Sequence, residues 1–353
     1  MRRVAFILAV VVAASATAAA TTKPAATVIY LTNLSIPRLG TESDADIIKE
    51  LGGDGCEVRT IDYAHRPEGK SPRLNAEILK LRQEGKFANP DRVFIIPEGF
   101  RLRQNVEFAR VGERVLAMDI IYPVKPSKPV PVLMEISCDN ANRMGNGSLL
   151  FCRDTLLEGG AIAGFAVAMV DHPVPPPYKG IDDPMPQSLE RMQRAVAKLR
   201  SLSKELGTSE KIGAIGFSRG APFAAMLAGQ GDVQAALIHG NRYDYLDLLD
   251  TDPMLGRFEK AWGKRDDNRE RWAIHSAAHY VTPKAAPMFL NTSDAESPEY
   301  RHGLERFAQR LDANKVPHTL QLDHDGRGHR VTTDPQTLSA IYDFFRNHLN
   351  ARS

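Results

Sequence analysis

The pentapeptide Gly216-Phe217-Ser218-Arg219-Gly220 sits between an apolar run, Ile212 to Phe217, and a helix-forming stretch that starts at Ala221. A serine on a tight strand-to-helix turn is held in strained backbone geometry, and glycines two residues to either side remove Cβ atoms that would collide there. The helix that follows adds a positive dipole end, which favours a developing oxyanion. Nucleophilic attack is the chemistry this arrangement serves. A serine hydroxyl is a weak nucleophile until an imidazole takes its proton, and a buried carboxylate must fix that imidazole's tautomer and steady its charged form.

Two later segments complete a pattern. Pro287-Met-Phe-Leu-Asn-Thr-Ser-Asp294-Ala-Glu-Ser-Pro298 reads as a strand running into D-x-x-S-P, and strand 318–323 is followed by Asp325-Gly-Arg-Gly-His329. With the serine turn, these make the chain resemble the α/β-hydrolase superfamily over about residues 92–350. Within that group it looks most like exported bacterial esterases related to acetylxylan and feruloyl esterases, and to the dienelactone-hydrolase and prolyl-oligopeptidase branches. The resemblance implies the triad order serine, acid, histidine, and assigns the nucleophile to Ser218, the acid to Asp294 and the base to His329. Glu296 and Asp244 are alternative acids, and a helix cap ahead of 299–313 is the other reading of Asp294. His324 is read as packing or facing solvent. One oxyanion donor is expected to be the backbone N–H of Arg219, and the second an N–H of Cys138 or Asp139 after strand 130–136. Many relatives carry His-Gly-Gly there, and this chain reads Ile136-Ser-Cys-Asp-Asn140. The Arg219 guanidinium is read as pairing with a local carboxylate, with an acidic substrate as the alternative.

A sheet must carry these residues to one edge. From about residue 92, the apolar runs 93–97, 106–111, 115–123 and 129–136 are joined by short connections suited to antiparallel pairing. Helices then intervene: strand 165–170, helix 188–206 closed by Gly207, strand 212–217, helix 221–229 and strand 235–239 are followed by strand 287–291, helix 299–313, strand 318–323 and helix 335–349. The fold class is α/β, a mostly parallel sheet with helices on both faces, where active sites lie outside the carboxyl ends of the strands. Residues 27–91 alternate strand and helix as a small N-terminal α/β region, too short to bury a core unaided, and are expected to pack on the domain of 92–353. The aromatic-rich segment 241–283 lies where hydrolases carry a cap, so its rings either stack on a sugar or phenolic group or pack the cap onto the body. Prolines between 173 and 186 suit a pocket wall. His275 and His279 have the i,i+4 spacing of a metal pair, but H-E-x-x-H is absent, and surface histidines are the preferred reading.

Composition narrows the function classes. Of 353 residues, 43% are hydrophobic and 25% charged, which excludes a disordered or collagen-like chain. Met1 to Ala20 has the basic, apolar and small-residue regions of a cleaved signal peptide, predicting a secreted or periplasmic protein. Removing Arg2 and Arg3 leaves 43 basic against 43 acidic side chains, so no nucleic-acid partner is expected. No later window resembles a membrane span. Three cysteines, Cys56, Cys138 and Cys152, allow one intramolecular disulfide at most; Cys138 with Cys152 is the preferred pair and two buried thiols the alternative. The expected activity is hydrolysis of a carboxylic ester, with a carbohydrate-linked acyl ester as one substrate class, through an acyl-enzyme and without metal or organic cofactor. A prolyl-oligopeptidase-like serine peptidase and a non-catalytic carbohydrate-binding protein are the rival readings.

Overall fold

The computed structural model describes residues 100–124, 126–136, 164–174, 185–329, 332 and 334–350, with the separate stretches 27–32, 49, 57–62 and 93–96. Strands β1 (Thr27–Thr32), β2 (Glu57–Asp62) and β3 (Val93–Ile96) form a three-stranded sheet in which β1 pairs parallel with β2 and antiparallel with β3. The run at 93–96 therefore joins the N-terminal strands and does not open the meander expected from the sequence.

The second sheet holds β4 (Phe100–Val111), β5 (Arg114–Pro123), β6 (Val130–Ile136), β7 (Ala166–Val170), β8 (Thr208–Phe217), β9 (Ala235–His239), β10 (Met288–Ser293) and β11 (His318–Asp323). Their spatial order is β11-β10-β9-β8-β6-β7-β5-β4. Only β5 runs against its neighbours; the six strands from β7 to β11 are all parallel. The expected antiparallel run thus reduces to the β4–β5 hairpin and the β5–β7 pairing, while β6 sits inside the parallel part. Burial explains the difference. All of β6 beyond its first residue is buried, as are β7, β9 and β10, and a strand covered on both faces needs neighbours and helices on every side.

The chain leaves β6 toward β7 on one side and returns to β8 on the other, so a topological switch point lies between β6 and β8. At such a point the loops diverge at the carboxyl ends and leave a crevice. Helix α1 (Met185–Leu206) packs a single stripe, including Leu189, Met192, Val196, Leu199 and Leu206, against the sheet. Helix α2 (Ala221–Gln230) is buried almost all round, which its alanines and glycine permit by keeping it thin. Helices α3 (Leu255–Trp262) and α4 (Arg269–His275) lie in the connection from β9 to β10, α5 (Pro298–Ala313) joins β10 to β11, and α6 (Pro335–Phe345) follows β11. Among the described residues no helix is long and apolar enough to cross a membrane.

Candidate active site

Ser218 follows β8 directly and opens a single 3-10 turn, Ser218–Gly220, that leads into α2. Its φ is +52°, in the left-handed region that costs an ordinary residue about 1–2 kcal/mol. The turn is tight enough that a Cβ on Gly216 would lie 2.5 Å from Ala221 Cα and 2.6 Å from the Gly220 carbonyl oxygen. Two groups that follow other strands, β9 and β7, brace it. Asn241 Nδ2 donates to the Ser218 carbonyl at 2.7 Å, and His172 Nε2 lies 3.3 Å from the Arg219 carbonyl. Because the Val174 N–H donates to His172 Nδ1 at 3.1 Å, the proton of that buried ring is on Nε2, which donates to Arg219. His172 follows β7 within an Asp-His-Pro run, and neither it nor Asn241 had a sequence motif to mark it.

His329 Nε2 lies 3.0 Å from Ser218 Oγ, and His329 Nδ1 lies 2.7 Å from Glu296 Oε2. An ionised Glu296 can only accept, so Nδ1 carries the proton and Nε2 is free to accept from the serine. The carboxylate that meets the imidazole is therefore Glu296, the alternative, and not Asp294. Asp294 comes directly after β10 and turns outward: it accepts the Gly326 N–H at 3.0 Å and faces the exposed His324 at 3.6 Å. Glu296, two residues farther along a turn closed by its own N–H on the Ser293 carbonyl, points inward, and its side chain is 1% exposed. Asp244 caps the 3-10 turn Tyr245–Asp247 through the Leu246 N–H, and Ser297, not Asp294, caps α5.

Electrostatics agree with this geometry. Burial pushes the Glu296 carboxyl up, but the hydrogen bond and charge of His329, with the Ser297 N–H on its other oxygen at 2.8 Å, outweigh it and hold the group below the usual carboxylate range. Gly240, with φ +55°, makes room for the pair, since a Cβ there would lie 2.8 Å from the His329 ring and 2.9 Å from Glu296 Oε2. Phe217 stacks on His329 with ring centroids 5.0 Å apart, and Tyr300 approaches the same imidazole at 5.0 Å. Tyr300 is in turn covered by Arg242, which is locked into a buried two-bond pair with Asp252.

The loop that delivers His329 is held by Arg327. Its guanidinium donates to Asp323 at 2.6 Å, Asp325 at 2.5 Å and Asn291 at 2.8 Å, tying the loop to the ends of β10 and β11. That network holds both carboxyls low: burial raises each of them, and the hydrogen bonds they accept, Asn291 first for Asp323 and Arg327 first for Asp325, outweigh it.

In segment 241–283 the aromatic side chains pack on one another. Leu248, Phe258, Trp262 and Trp272 form a buried cluster against which Tyr245 leans, and Tyr243 stacks on Phe307. His275 is buried face to face with Trp262 at 4.2 Å, contrary to the surface position expected, while His279 is exposed on the following turn. Among the described residues the one group with metal-ligand spacing is His239, Glu296 and His329. Cys138 and Asp139, the candidates for the second oxyanion donor, lie outside the described residues, as do the other cysteines, residues 1–20 and most of the proline-rich loop. Arg219 is in place on the turn after the serine.

No protein-family model and no curated protein sequence matches the chain. Solved structures do. A truncated carbohydrate esterase from gut microbiota is 16% identical, with a TM-score of 0.56 over 71% of this chain and 96% of that one. An acetyl ester-xyloside bifunctional hydrolase from Caldicellulosiruptor lactoaceticus is 18% identical, with a TM-score of 0.53 over 71% and 97%. An acylaminoacyl peptidase from Pyrococcus horikoshii is 15% identical, with a TM-score of 0.57 over 72% of this chain and 43% of that longer one. The fold is that of the α/β-hydrolases, as the strand order and the serine turn had indicated.

Proposed function

We propose that the protein is an exported serine hydrolase that cleaves a carboxylic ester through an acyl-enzyme. The observation that carries this reading is the hydrogen-bonded line Ser218 Oγ, His329, Glu296, beginning at a serine with positive φ at a strand end. Ser218 Oγ attacks the ester carbonyl as His329 Nε2 takes its proton, and Glu296 steadies the imidazolium. The Arg219 N–H, with a donor from the loop carrying Cys138 and Asp139, receives the oxyanion. His329 returns the proton to the leaving alcohol; water then attacks the acyl carbon and gives a proton to the same nitrogen, which passes it to Ser218 Oγ as the acid leaves. No step uses a metal or an organic cofactor.

A carbohydrate-linked acyl ester is the substrate class favoured by the names of two structural neighbours, and the leader-like residues 1–20 support export. The peptidase neighbour keeps amide cleavage as a second reading. Incubation with 4-nitrophenyl acetate, acetylated xylan and a p-nitroanilide peptide separates the cases. Release from the first two and not the third is expected, together with fluorophosphonate labelling that disappears in Ser218→Ala. Labelling of that variant at the wild-type rate, or binding to plain polysaccharide with no turnover, would overturn the reading.

A further inference from the structure

His239 ends β9 beside the reacting groups and has no part in the chemistry above. Its side chain is 3% exposed, and neither ring nitrogen has a hydrogen-bond partner among the described residues. Such a buried polar group costs about 1–3 kcal/mol unless something satisfies it. The amide of Asn291 faces the ring but lies outside hydrogen-bond geometry to either nitrogen; its Nδ2 donates to Asp323 and its oxygen accepts from Arg327. Nε2 is aimed at Glu296 Oε2 across 4.0 Å, too far for a hydrogen bond. On the other side of that oxygen stands His329 Nδ1, and all three ligand atoms lie within 4.8 Å of one another.

We propose that His239, Glu296 and His329 form an inhibitory binding site for a divalent transition-metal ion of the zinc type. Two imidazoles and one carboxylate are a donor set that zinc accepts and that suits magnesium or calcium poorly. Around a tetrahedral ion with bonds of about 2.0–2.1 Å, neighbouring ligand atoms stand about 3.3 Å apart. The pair at 2.7 Å must therefore open and the pair at 4.0 Å close, each by under an ångström, and the two imidazole nitrogens, within 4.8 Å of each other, must draw together by up to about 1.5 Å. Arg327 is the nearby cation, but it is offset by Asp323 and Asp325, and Glu296 leaves the surroundings net negative. His329, its side chain 30% exposed, is the most open of the three groups.

The consequence for activity, which rests on the hydrolase reading, follows from the tautomer. An ion on His329 Nδ1 takes the lone pair that appears when the Nδ1 proton leaves. In the neutral ring that proton, exchanged through water, resides on Nε2, which then donates to Ser218 Oγ and has no lone pair with which to activate it. No covalent bond to carbon is made or broken, and chelation of the ion restores the original tautomer.

Calorimetric titration of zinc chloride and, separately, magnesium chloride into the chelator-stripped protein tests the site itself. One zinc per chain is expected, with no magnesium binding, and affinity should fall by more than about tenfold in His239→Gln, since losing even an outer-shell partner costs a metal site that much. Zinc-edge absorption on the wild-type complex, which needs no variant to fold, should show two imidazoles in the shell. In parallel, zinc should slow ester hydrolysis at least tenfold in wild type, reversibly with chelator, and far less in His239→Gln relative to that variant's own zinc-free rate. Undiminished affinity in folded His239→Gln or His239→Asn, a shell with one imidazole, or no zinc binding to wild type overturns the proposal. A protein that binds zinc through His239 yet cleaves no ester sinks the hydrolase reading and leaves the site standing.

Discussion

Glu296 and His329 meet at 2.7 Å although 32 residues separate them in the chain, and the residue on which they close is Gly240, at the end of a third segment. Three strand ends, those of β9, β10 and β11, therefore have to be in register before the imidazole has its carboxylate. Each of them supplies a test.

The carboxylate assignment is checked by paired substitutions. Glu296→Gln keeps the shape but supports the wrong imidazole tautomer, and should lower kcat for ester hydrolysis by about 10³–10⁴-fold. Asp294→Asn should stay within a few-fold of wild type, because its partners are the Gly326 N–H, the Ser293 hydroxyl and the exposed His324, none of them a group of the Ser218–His329–Glu296 line. The reverse ranking in steady-state kinetics would restore Asp294 as the acid.

Strain at Ser218 separates function from stability. Ser218→Ala and Ser218→Gly should both abolish turnover, but only glycine relieves the positive φ. After allowing for the extra freedom of glycine in the unfolded chain, Ser218→Gly should be more stable than Ser218→Ala by about 0.5–1 kcal/mol in urea unfolding. A glycine variant that is the less stable of the two would show that the turn is not strained.

Gly240→Ala introduces a Cβ at 2.8 Å from the His329 ring, in a backbone conformation that alanine disfavours. Loss of activity by at least about 10²-fold is expected, since a displacement of about 1 Å at a reacting group costs that much. The melting temperature should fall as well. Near-normal kinetics would mean the loop after β9 yields more easily than its packing indicates.

His239 sets a pH dependence whose sign can be worked out. Its folded-state pKa is lowered from 6.5 to about 3, by burial first and then by the charges of Arg327 and His329. Between those values the unfolded chain binds one proton more than the folded one, so stability falls as pH falls, by about 1.4 kcal/mol per pH unit from this group. Stability measured by denaturant from pH 6 to 4 should show that slope in wild type, reduced by one proton in His239→Gln. An identical slope in both would show that the ring is hydrated or charged in the fold.

The sequence by itself determined what is local. A serine between two glycines, after an apolar strand and before a helix, needs no distant contact to be recognised, because the steric demand that selects those residues acts within five positions. The His329 loop and most strands were legible for the same reason, their apolar runs being set by burial of each segment. Tertiary structure decided what depends on direction and neighbourhood. Asp294 and Glu296 stand two residues apart in an irregular turn, where no helical or strand period says which side chain faces inward. The longer side chain reached His329 only because β10 and β11 lie side by side. The position of β6 among the parallel strands, the pairing of 93–96 with the N-terminal strands, and the burial of His239 were hidden alike. Strands buried on both faces read as continuous apolar runs, and such a run carries no record of which strand will lie beside it or which side chain will face the site.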